Sequence, residues 1–143
     1  MTRLTEHFTL EEMCLSQTAS REGIDNTPDP KSMSNLVNTA AGLEKVRALL
    51  GKPISISSGY RSPELNKKVG GAKNSQHLTG QAADLTCHSY GTARQVVKAI
   101  VESDIEFDQC ILEFNQWCHI SFSDTPRKQA LIIDSTGTRI WED

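Results

Sequence analysis

A chain of 143 residues suits one domain with a single core. Its 37% hydrophobic and 23% charged residues are the proportions of an ordinary soluble globular protein. A formal net charge of -3, with no basic run or basic helix face, excludes an electrostatic case for nucleic acid. Lys67, Lys68 and Lys73 cluster, but a solvated face accounts for them.

No apolar stretch approaches the length of a membrane span, so no membrane partner is expected. Met1 to Leu10 lacks the basic-then-apolar pattern of a secretory signal, and synthesis in the cytoplasm without a signal peptide is the expectation. Cys14, Cys87, Cys110 and Cys118 form no CxxC pair and no regular spacing. In a cytoplasmic chain they read as free thiols.

Thr9-Leu10-Glu11-Glu12 has the form of a capping box, and a short helix follows from about Leu10. Ser20 to Lys31 carries Gly23, Asn26, Pro28 and Pro30 and reads as a loop. From Ser34, the residues Leu36, Val37, Ala40, Leu43, Val46 and Leu50 recur at helical spacing. Gly51 before Pro53 should end that helix. Ile54 to Ser57 alternates as a strand. Gly59 to Gly80 is long for a loop, and such segments are functional or locally helical. Strand Ala82 to Thr86 and helix Thr92 to Glu102 come next. Gln109 to Glu113 and His119 to Phe122 make a hairpin around Asn115. Ala130 to Ile133 and Thr138 to Trp141 make a last pair around Gly137. Helices early and hairpins late argue an α+β fold with an antiparallel sheet and flanking helices, in one domain over residues 1–143.

Ser75 to Asp84 carries the most chemistry. His77 lies in a polar loop, Gly80 permits a sharp turn, and Asp84 falls inside a short strand before Leu85. A carboxylate buried in a strand needs a partner, and a metal ion is one. His119 begins a strand after Trp117 and Cys118. Two histidines and one carboxylate leave a fourth position open, the arrangement of a catalytic zinc. Spacing alone leaves the bland reading standing: a structural histidine, and an Asp84 that caps a turn or pairs with Arg61. Cys87, His88, Cys118 and His119 are a rival zinc set. Strand alternation opposes it, because Cys87 points away from the face of Asp84 and Cys118 from that of His119. His88 shares the parity of Asp84 and could approach the site.

His77-x-x-Gly80-x-Ala82-x-Asp84 followed by Trp117-x-His119 resembles the zinc-ligand signature of the D-Ala-D-Ala carboxypeptidase-like peptidases, the M15 group. Ser58-Gly59-Tyr60-Arg61-Ser62, with Asn66 and Val69-Gly70-Gly71, resembles the arginine-bearing segment of the same group. The resemblance implies a Hedgehog/DD-peptidase-type fold and one Zn2+ held by His77, Asp84 and His119. It also implies peptidoglycan stem peptides as the partner. Arg61 would face the substrate, polarising the scissile carbonyl or holding a carboxylate. Its bland alternative is an ion pair with Glu64 or Asp84.

Many relatives place an acid three residues before the last histidine. Here that residue is Gln116, which cannot take a proton, and the nearest acid is Glu113. A loop of Asn115 to Trp117 would set Glu113 directly opposite His119; a two-residue loop would turn it away. Glu113 is the expected general base. The leading expectation is a monomeric wall peptidase, carboxypeptidase or endopeptidase, acting after release or in a virion, as in a phage or prophage lysis enzyme. The alternatives are a cytoplasmic D,D-dipeptidase and a non-catalytic zinc-binding module.

Overall fold

The structure is a computed structural model that describes residues 2–143. Among the described residues five α-helices and six strands follow one another. They are α1 (Leu10–Cys14), α2 (Gln17–Glu22), α3 (Pro30–Leu50), β1 (Ser55–Ser58), α4 (Pro63–Lys68), β2 (Ala82–Thr86), α5 (Ala93–Val101), β3 (Gln109–Glu113), β4 (Trp117–Ser121), β5 (Gln129–Asp134) and β6 (Gly137–Ile140). A single 3-10 turn, Gln76–Thr79, precedes β2. None of the described helices is long and apolar enough to cross a membrane.

The helices begin where side chains can satisfy their first amides. Thr9 accepts from the Glu12 amide and opens α1. Thr92 and Gln95 make both bonds of a capping box on α5. Two helical segments depart from the expected loop of Ser20 to Lys31. Ser16 caps α2 by accepting from the Ala19 amide, and Gly23 ends it in the left-handed region. Pro30 opens α3 four residues earlier than the apolar spacing suggests, because proline is pre-set for a first helical turn. The long Gly59 to Gly80 segment is locally helical, holding α4 and the 3-10 turn.

The sheet order is β1-β2-β4-β3-β5-β6. Every neighbouring pair is antiparallel except β3 with β5, which is parallel. The expected α+β fold with an antiparallel sheet holds except at that one pair. Both edges of β4 are occupied, by β2 and β3, and β5 pairs with the free edge of β3. The chain reverses after β3 and again after β4, so β5 arrives parallel to β3.

Alternation divides the sheet into two faces. Ala83 and Leu85 of β2, Cys110 and Leu112 of β3, Cys118 and Ile120 of β4 and Ile132 of β5 are buried in the core. There they join Leu36, Ala40, Leu43 and Val46 of α3, and Val96, Val97 and Ile100 of α5. The four cysteines are free, as expected, and Cys110 and Cys118 lie 3.8 Å apart, sulfur to sulfur, within this core. The opposite face carries Asp84, Ile111, Glu113, Trp117 and His119. It is the polar face, and it bears the site.

Candidate metal centre and its groove

Register places the first two ligand candidates. Asp84 sits in mid-strand on β2 directly opposite His119 on β4. The pair shares the polar face because antiparallel partners point the same way. Position Oδ1 of Asp84 lies 2.9 Å from His119 Nδ1 and 3.3 Å from His77 Nε2. The three side chains are buried, and their ligand atoms all lie within 4.8 Å of one another.

His77 comes from the 3-10 turn, which α3 holds in place. Thr39 donates to the Gly80 carbonyl at 2.7 Å, and Asn35 donates to the Thr79 carbonyl at 2.9 Å. Gly80 itself has φ +74, and a Cβ there would sit 2.6 Å from the Ser32 carbonyl oxygen of α3. Both facts require glycine at this position.

The donor chemistry fits a cation. His77 Nδ1 lies 2.6 Å from the Gly59 carbonyl oxygen, which only accepts, so Nδ1 carries the proton. A neutral His77 then presents the lone pair of Nε2 toward the lone pairs of Asp84. In that tautomer His77 has no proton to give Asp84, and a positive charge between the two would satisfy both. A metal ion would supply it, and a backbone carbonyl such as that of Gly59 is the usual kind of partner that orients a ligand histidine. Burial alone would raise the Asp84 carboxyl. The two imidazoles beside it, His119 first and then His77, outweigh burial and hold the group well below the usual carboxylate range.

Arg61 approaches the same carboxylate, with Nη2 3.8 Å from Asp84 Oδ2. Its Nε donates to Ser58 Oγ at 3.3 Å and its Nη1 to Asn66 Oδ1 at 3.0 Å. Asn66 in turn donates to the Ala72 carbonyl. A Cβ at Gly71 would stand 2.1 Å from Asn66 Oδ1 and 2.7 Å from Arg61 Nη1, so the arginine packs where only glycine leaves room. Of the two readings of Arg61, its nearest acid is Asp84 and it also lines the groove over the cluster.

That groove has a volume of about 620 Å³. His77, Ile111 and His119 lie along it, with Glu113 and Trp117 toward one end and Arg127 also on its wall. Beyond Arg61 and Val69 a second cavity of about 510 Å³ continues past Leu15 and Tyr60.

Glu113 reaches the groove by a register different from the expected one. The turn is Phe114 to Gln116, with Phe114 at φ 53 and Asn115 at φ 56, so Glu113 pairs with Trp117 and Ile111 lies opposite His119. Glu113 is therefore a diagonal neighbour of His119 on the same face, about 7–8 Å away by sheet geometry. Trp117 Nε1 donates to Glu113 Oε1 at 2.9 Å and fixes the carboxylate. Gln116 is exposed in the turn. His88 is exposed in the turn after β2 and does not join the cluster, and the rival Cys87, His88, Cys118 and His119 set is not assembled among the described residues.

Sequence reasoning missed a second polar group on the groove wall. Asp108, only 3% exposed, accepts from Arg127 Nε and Nη2, each at 2.8 Å, and from the Arg127 amide at 3.0 Å. Gln76 Nε2, next in the chain to His77, donates to Asp108 Oδ2 at 2.9 Å, the oxygen that also accepts from Arg127 Nη2. Asp108 lies between α5 and β3, where a carboxylate reads as solvated, and its partner is 19 residues away. The Arg127 hydrogen bonds lower the Asp108 carboxyl from 3.8 to about 2. A depressed carboxylate contributes stability above its unfolded pKa and loses it as pH falls through the folded one. The folded protein should therefore lose about 2 kcal/mol from this group between pH 4 and pH 2. Urea unfolding at pH 5 and pH 2 should show a loss larger by about that amount in the wild type than in Asp108→Asn.

Comparison with known proteins agrees with this geometry. The profile of the Peptidase M15 family matches residues 6–121, and the chain belongs to that family. A zinc D-Ala-D-Ala carboxypeptidase from Streptomyces albus G is 44% identical over 59 residues, 41% of this chain. The match spans 23% of the length of that relative.

Proposed function

We propose that this protein is a zinc-dependent peptidase acting on peptidoglycan stem peptides, with the ion held by His77, Asp84 and His119. The observation that carries the reading is the convergence of two imidazoles on one buried carboxylate, beside a groove that both histidines line. Family membership and the zinc carboxypeptidase relative support it. The donor set leaves a side open to the groove, the feature that separates catalytic from structural zinc sites. Zinc so bound supplies Lewis acidity and brings the ionisation of water down to pH ~7.

The chain's own residues do the rest. Arg61 lines the groove beside Asp84 and polarises the scissile carbonyl, a task that suits its planar fork of donors. Glu113 takes the proton from the attacking water and returns it to the leaving amine. Trp117 keeps one oxygen of Glu113 occupied and leaves the other for that proton. Ile111 forms an apolar floor between the base and the ligands. Space on both sides of Arg61 accommodates peptide on both sides of the cleaved bond, which favours an endopeptidase over a strict carboxypeptidase. Action on the wall after release from the cytoplasm or from a virion, as a monomer, belongs to the same reading.

The test is hydrolysis of purified cell walls and of soluble stem peptides, read by mass spectrometry of the fragments. Zinc-loaded protein should release a product with a new amine, chelation should abolish it, and added zinc should restore it. Activity should rise between pH ~6 and 7. Full activity after verified metal loss would exclude the reading.

A further inference from the structure

Two arginines line the groove, and their surroundings differ. Arg61 is committed: its Nε and Nη1 donate to Ser58 and Asn66, its Nη2 lies beside Asp84, and its side chain is 18% exposed. Arg127 uses Nε and Nη2 on Asp108, while its Nη1 makes no hydrogen bond among the described residues and its side chain is 55% exposed. The buried Asp108 thus holds one edge of the guanidinium rigid and leaves the other edge free.

A guanidinium held in this way is prepared for a second carboxylate. A fixed side chain loses little rotamer freedom on binding, and arginine offers planar donors that match a carboxylate. The acid that holds it is turned inward at 3% exposure, so a ligand meets the donors and not the anion. Position adds a constraint. Asp108 lies three residues before Ile111, the residue facing His119, or about 10 Å along the strand. Glu113 lies on the other side of that row.

We propose that Arg127, locked on Asp108, is a carboxylate anchor that grips a free carboxylate of the substrate within about three residues of the bond cut. The anchor rests on the peptidase reading for the nature of its ligand. It separates peptides that keep their carboxylates from those in which the carboxylates are amidated. Its chemistry is a charge-assisted, directional hydrogen bond, strong where the ligand is anionic and weak where it is an amide.

The experiment measures binding apart from cleavage. Zinc-loaded Glu113→Gln protein is titrated by calorimetry with a stem-type tetrapeptide and with the same peptide amidated at each carboxylate in turn. One amidation should weaken binding by roughly 10-fold or more. Asp108→Asn combined with Arg127→Gln replaces the ion pair by a neutral one, and should bind the acid and that amide alike. Arg127→Lys, which keeps the charge without the fork, should restore part of the preference and covers the case in which the double variant fails to fold. Equal affinity for acid and amides, no measurable binding of either, or a preference that survives in both variants would overturn the anchor. Hydrolysis by wild type is followed in parallel. Discrimination in binding without any cleavage would leave the anchor in place and sink the peptidase reading.

Discussion

Glu113→Gln should lower kcat on stem peptides by about 100-fold or more while zinc content and thermal stability change little. The amide keeps the length and planarity of the side chain, and Trp117 Nε1 can still donate to its oxygen. What disappears is the proton acceptor. Glu113 is on the groove wall and is not buried, so the change leaves no unpaired charge in the core. Gln116→Ala should be mild, because Gln116 points from an exposed turn. Trp117→Phe removes the indole donor and should cost less than loss of the carboxylate. Full wall-degrading activity in Glu113→Gln would assign the base elsewhere.

Changing His77, Asp84 or His119 to alanine should have the largest effect on metal content. Each supplies one ligand atom to a three-atom cluster, so each loss leaves two protein ligands. Zinc affinity should fall by more than the roughly 10–100-fold that follows loss of a hydrogen-bond partner behind a ligand. Activity should fall with it. The three variants should differ in stability. Asp84→Ala leaves two buried imidazoles without the carboxylate they converge on, whereas His77→Ala leaves the Gly59 carbonyl without its donor. Metal analysis and circular dichroism on the same samples separate metal loss from unfolding. Zinc content unaffected by all three changes in folded protein would remove the site.

Much of this site was legible because its residues are close in sequence or carry a recognisable spacing. His77, Gly80 and Asp84 lie within one short segment, and the structure explains the glycine through its positive φ and its approach to α3. The face of Glu113 was legible, but its register was not. Moving the turn from Asn115–Trp117 to Phe114–Gln116 slides each strand by one residue. Two slips of one preserve the parity, so Glu113 keeps the face of His119 and exchanges a direct pairing for a diagonal one. Turn choice depended on Phe114 adopting a positive φ, which an aromatic side chain does not advertise.

Contacts over long separations were not legible. Asn26 donates to the carbonyls of Cys14 and Tyr60 and accepts from the Ser62 amide, tying the first loop to the Arg61 segment. Nothing in the local pattern distinguishes it from a surface asparagine. The Asp108 and Arg127 pair is of the same kind. The parallel pairing of β3 and β5 escaped as well, because alternation within a strand reports which face is buried and says nothing of which edge a later strand joins. Helix α2 is different: Ser16 and Gly23 were visible start and stop signals for a segment too short to show periodicity.

The most direct measurement is diffraction at the zinc absorption edge from a crystal of zinc-loaded protein. One anomalous peak should lie between His77 Nε2, His119 Nδ1 and the Asp84 carboxylate, about 2.0–2.2 Å from each, with its open side toward the groove. A peak at Cys87 and His88, or none within reach of Asp84 in protein shown to hold one zinc per chain, would contradict the account.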